Sequence, residues 1–102
     1  MDLVLPRTVS ERQRRELGAF ARYCAKRIER DLDTTGRWTV TLCTGPGIQY
    51  GSSVAVHDAE GPIEARGTSA DAVIAIWEAM CLLEQRLREH LAAARAPAPA
   101  VC

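Results

Sequence analysis

Residues 67–94, GTSADAVIAIWEAMCLLEQRLREHLAAA, hold the longest unbroken helical pattern in the chain. Val73, Ile76, Trp77, Met80, Leu83, Leu87 and Leu91 recur at spacings of three and four, so they share one side of a helix. Asp71, Glu78, Gln85 and Glu89 fall on the other side, and Ile74 and Cys81 widen the apolar stripe in the first half. Gly67 breaks the preceding element. A hydroxyl of Thr68 or Ser69 can cap the first turn, and Asp71 suits the positive end of the helix dipole. From Ser69 to Ala94 such a helix runs ~39 Å. A strand of about seven residues spans only ~23 Å. The helix therefore outruns any sheet this chain can build. Leu83, Leu87 and Leu91 need a second partner, either another helix or another molecule.

Upstream, Ser10-Glu11-Arg12-Gln13 is a capping box, so a first helix starts there. Leu17, Phe20, Ala21, Cys24, Ile28 and Leu32 form its apolar face, with Gly18 a mild weak point. It should stop near residues 31–33, with Thr34, Thr35 and Gly36 as the turn. The period then changes to two. Trp38, Val40 and Leu42 alternate with Thr39, Thr41 and Cys43 in one strand. Val54 and Val56 alternate with Ser53, Ala55 and His57 in a second, over about 51–57. Residues 58–61 make a hairpin connection with Gly61 at positive φ, and a shorter third strand covers 62–66. Leu3, Val4 and Leu5 either cover a core edge or add a short strand before Pro6.

The expected architecture is therefore α+β, in the order αβββα. A three-stranded antiparallel sheet has both long helices packed on one face. The boundaries are an N-terminal arm over 1–9, a single domain over 10–94, and a flexible Ala/Pro tail over 95–102.

A chain of 102 residues fits one ordinary domain without a deep interdomain cleft. Its 13 basic and 13 acidic residues cancel, which argues against a strongly basic nucleic-acid binder. The charge is uneven, with eight Lys or Arg against five acids in residues 1–32, and five against eight in the remainder. Cys24, Cys43, Cys81 and Cys102 show no CxxC spacing, and MDLVLPRT lacks the pattern of a signal peptide. The longest apolar run, residues 72–77, is too short to span a membrane. A cytoplasmic protein with reduced thiols, no cofactor and no metal site is expected.

The αβββα order resembles the double-stranded-RNA-binding domain over about residues 15–90. In that family a pair of lysines at the start of the last helix grips phosphates. Here that position reads Gly67-Thr68-Ser69-Ala70-Asp71-Ala72, with an acid and no lysine. Residues 54–82 also resemble the HicB-type antitoxin pattern of strand, Gly turn, strand and helix, through Asp58, Gly61, Gly67, Thr68 and Ala72. That second resemblance implies a small accessory or inhibitor protein of phage or mobile elements.

No residues form a recognisable catalytic constellation. His57 and Asp58 are adjacent in a strand, so they point to opposite faces and make no dyad. Gly45-Pro46-Gly47-Ile48-Gln49-Tyr50-Gly51 lacks the helix that a phosphate loop needs, but Tyr50 is a natural contact residue in a flexible hairpin. The expectation is a non-enzymatic protein–protein interaction module. It binds a protein partner or itself, as a homodimer, through Leu83, Leu87 and Leu91, with Tyr50 as a further contact. The alternative is a nucleic-acid-binding protein that uses Arg14, Arg15, Arg22, Lys26 and Arg27 of the first helix as an anionic-surface site. No membrane partner is expected.

Overall fold

A computed structural model describes residues 1–47, 49–58 and 61–95. The elements are β1 (Asp2–Val4), α1 (Glu11–Leu32), β2 (Arg37–Thr44), β3 (Tyr50–Asp58), β4 (Gly61–Ser69) and α2 (Ala72–Arg95). The expected tail, apart from Arg95, lies outside the described residues.

The sheet has four strands in the order β1-β2-β3-β4 and is mixed, where a three-stranded antiparallel sheet was expected. β1 pairs parallel to β2, with Leu3 opposite Val40, and β2, β3 and β4 form an antiparallel meander. Parallel neighbours need a crossover, and α1 supplies it. Three residues are too few to show a period, so the sequence left β1 as one of two options. Leu3 is held where a Cβ at Gly18 would come 3.3 Å from its Cδ2, so this helical glycine admits β1's side chain.

β1, β2 and β4 run in one sense. α1 follows β1 and α2 follows β4, so both helices return in the opposite sense and lie parallel. Arg27, in the last third of α1, meets Glu84, at the middle of α2, at 3.1 Å. Near the C-terminal ends, Leu32 and Leu91 line a common hollow. The capping box at Ser10 is present, and Asp33 closes α1 in the left-handed conformation at φ 50°.

α2 packs chiefly on β4 and β3. Its closest approach is at Gly67, where a Cβ would stand 2.6 Å from the Ala75 carbonyl oxygen and 2.8 Å from the Ala79 nitrogen. Gly67 is opposite Ser52 in the ladder, and Ala75 and Ala79 are fully buried. Small residues from both elements thus let the helix backbone settle onto the sheet. Gly67 does not break β4, which runs on to Ser69. Asp71 caps α2, its Oδ1 accepting from the N–H of Val73 at 2.8 Å and of Ile74 at 3.3 Å.

That approach sets the roll of α2. Ala75, Ile76, Ala79, Met80, Leu83 and Leu87 face inward, whereas Val73 and Ile74 are exposed and Trp77 is 52% exposed. Of the expected stripe, Ile76, Met80, Leu83 and Leu87 are buried, whereas Val73 and Trp77 fall outside the core, because a helix resting on alanines turns these larger neighbours out. The core joins Leu17, Ala21, Cys24, Ala25, Ile28 and Leu32 of α1 to Trp38, Val40 and Leu42 of β2, Val54 and Val56 of β3, and the inner face of α2.

Candidate nucleic-acid interface

α1 carries seven cations and four acids, so its surplus is three positive charges. Each acid is already engaged. Glu11 lies 4.0 Å from Arg14, and Glu16 lies 3.1 Å from Arg12. Glu29 accepts from the N–H of Gly36 at 3.3 Å. Asp31 meets Arg27 at 3.6 Å and Arg30 at 3.4 Å. Arg27 is further committed to Glu84, which also holds Arg88 at 3.2 Å.

Arg15, Arg22 and Lys26 are left over. Among the described residues their side chains make no hydrogen bond or ion pair, and all three are exposed. Spacings of seven and four align them in one stripe along the helix. Arg22 folds back over Gly18, with Nη1 3.4 Å from where that residue's Cβ would be, so the stripe runs on the flank above β1. Arg27 and Glu84 mark the opposite flank, at the seam with α2. Arg7 and Arg37 are likewise unpaired among the described residues. Paired surface charges contribute little outward field; an uncommitted row of cations on a rigid helix suits a polyanion.

The five cations expected as an anion site thus divide. Arg15, Arg22 and Lys26 form the stripe, Arg14 is shared with Glu11, and Arg27 is a bridge between the helices. The sequence shows which residues are basic but not which acids from other elements reach them. Glu84, 57 residues on from Arg27, carries no local signal of that pairing.

The expected partner-binding leucines lie elsewhere. Leu83 is 0% exposed and Leu87 is 2% exposed, and Leu91 is half-buried against the same core. α1 is the second partner that the overhang of α2 required, so these side chains form no free apolar surface. Tyr50 is also half-buried, beside Gln13, Glu16 and Leu17 in a hollow of about 310 Å³.

On the open face of the sheet, Ser53 Oγ donates to Glu64 Oε1 at 2.8 Å and Arg66 Nε donates to the same oxygen at 3.2 Å. Those two bonds, Ser53's first, hold the Glu64 carboxyl below its ordinary range. His90 meets Asp58 at 3.4 Å, tying α2 to the end of β3. Burial pushes the thiols of Cys24 and Cys81 up, so neither is an activated nucleophile. Among the described residues no group of three or more His, Cys, Asp or Glu is placed to hold a metal ion. No helix of the described residues is long and apolar enough to cross a membrane.

The βαβββα order, with a parallel first strand and two parallel helices, defines an α+β fold distinct from αβββα. No family model matches the sequence, and no curated protein is significantly similar to it. Solved structures do share the fold. The N-terminal domain of Protein Y from Thermus thermophilus matches with a TM-score of 0.67 at 19% identity, over 88% of this chain and 99% of that one. A ribosomal subunit interface protein from Coxiella burnetii matches with a TM-score of 0.72 at 16% identity, over 89% of this chain and 96% of that one. These neighbours correct two expectations. The resemblance to the double-stranded-RNA-binding domain fails on the added parallel strand, and the reading as an accessory or inhibitor protein of phage or mobile elements is overturned by neighbours of another kind.

Proposed function

We propose that this protein binds a ribosomal subunit and acts by occupancy, without catalysing a reaction. One observation carries the reading. Nearly the whole chain shares its fold with a protein named for the ribosomal subunit interface, at a TM-score of 0.72. The surface chemistry supports it. Arg15, Arg22 and Lys26 are uncommitted, aligned and held on a helix of 22 residues. Such a row can meet the phosphates of ribosomal RNA and displace their counterions. The near-zero net charge is compatible with this, because the positive surplus of α1 is offset by the acidic surplus of the rest of the chain. A ribosomal partner also places the protein's work in the cytoplasm.

The test is sedimentation of the purified protein with isolated ribosomal subunits at low and at raised salt. The proposal expects the protein in the subunit fraction at low salt and its release as salt rises. Absence from both subunit fractions at low salt would overturn it.

A further inference from the structure

We infer that Tyr23 is a stacking site for an unpaired RNA base, set beside the cationic stripe of α1. This inference rests on the ribosome-binding reading and adds the kind of RNA feature that the stripe takes. Tyr23 is 66% exposed, the most exposed of the large apolar side chains among the described residues. Its hydroxyl has no hydrogen-bond partner among them. Lys26, three positions on, is the neighbour of Tyr23 on the helix surface, and Arg22 precedes it on the adjoining face, so two of the three uncommitted cations lie within one turn of the ring.

The ring is also accessible from its side. Helical side chains lean back over the preceding turn, which places Tyr23 over Ala19, an exposed residue with no bulk to cover a ring face. An exposed aromatic ring beside a row of cations matches what single-stranded RNA offers, an open base face next to its phosphates. A duplex offers the phosphates but hides its base faces in the stack. An apolar protein surface would have to bury the ring together with unpaired Arg22 and Lys26, at the cost of desolvating them. Trp77, although half-exposed, has no uncommitted cation among its helical neighbours, and Val73 and Ile74 beside it have no stacking face.

The experiment is fluorescence anisotropy with a labelled adenine-rich RNA strand, free and annealed into a duplex. Wild type is compared with Tyr23→Phe, Tyr23→Ala and the triple change of Arg15, Arg22 and Lys26 to Ala. The free strand should bind tighter than the duplex. Tyr23→Phe should retain that preference. Tyr23→Ala should weaken free-strand binding about tenfold and leave duplex binding unchanged. The triple variant should weaken both. Because Tyr23 is exposed, an unchanged thermal midpoint accompanies these effects. Equal binding of wild type and Tyr23→Ala, with the triple variant still weakened, overturns the stacking role and leaves the ribosome reading standing. Loss of subunit binding in Tyr23→Ala with unchanged RNA affinity assigns the ring to a protein partner and also overturns it. Undiminished RNA binding by the triple variant removes the stripe on which both readings stand.

Discussion

Adding one methyl group at Gly67 should unseat α2. An alanine Cβ there would lie 2.6 Å from the Ala75 carbonyl oxygen, 2.8 Å from the Ala79 nitrogen and 2.9 Å from Glu78 Cβ. Two of these are backbone atoms of a helix, so no side-chain rotation relieves them. Moving the oxygen from 2.6 Å to an ordinary contact of 3.4 Å requires α2 to retreat by about 0.8 Å. Overpacking of this kind costs ~1–3 kcal/mol. Lower chain entropy of the unfolded alanine variant offsets ~0.4–1 kcal/mol of that. The net loss is about 1–2 kcal/mol, or roughly 4–16 °C in thermal midpoint for a domain of this size. Gly51→Ala is the control, since nothing lies within 4 Å of its Cβ position and its φ is not positive. That variant should be neutral, or more stable by up to ~1 kcal/mol. Urea and thermal unfolding followed by circular dichroism measure both. If Gly67→Ala unfolds at the wild-type midpoint, the close approach of α2 to β4 is wrong, and so is the explanation of why Trp77 points outward.

The roll of α2 has its own test: Leu83→Ala should cost ~2.7–5 kcal/mol by opening a cavity, while Trp77→Ala should stay within about 1 kcal/mol. Comparable losses in urea unfolding would restore the face on which Trp77 is core. Arg27→Ala should destabilise by about 1–2 kcal/mol, because it breaks a half-buried bridge to Glu84 and Asp31, whereas Arg22→Ala should stay within ~0.5 kcal/mol. Unfolding curves for the two variants separate the structural cation from the free one, and equal curves would erase that distinction.

The elements with strong periods and caps were legible in the residues. Ser10 and Gln13 mark the start of α1, the alternation of Trp38, Val40 and Leu42 marks β2, and Gly61 takes positive φ at φ 117°. What was not legible depends on close tertiary approach. Gly67 reads as a strand breaker in one dimension, yet in three it is the place where a helix backbone touches a sheet. Ala75 and Ala79 rank as weakly apolar by composition, yet they decide which side of α2 faces inward, and so take the place of Val73 and Trp77 in the core. Strand β1 was under-determined because each of its residues pairs with one 37 positions further on, and its fit depends on the missing side chain of Gly18. The same reasoning applies to the site. Sequence spacing identifies the basic residues of α1, and only the fold shows that Glu84 reaches across to Arg27. Tyr23 could have been found from sequence, because it falls off the apolar face of α1 between two cations.

Uncommitted cations of α1 are proposed to hold a ribosomal subunit by its RNA phosphates. The most direct test is the salt dependence of subunit affinity for wild type and for the triple change of Arg15, Arg22 and Lys26 to Ala. Each phosphate contact contributes about 0.7–0.9 to the slope of log affinity against log salt. The variant should therefore bind more weakly at low salt, with a slope shallower by roughly two to three. Equal slopes for the two proteins would contradict the account.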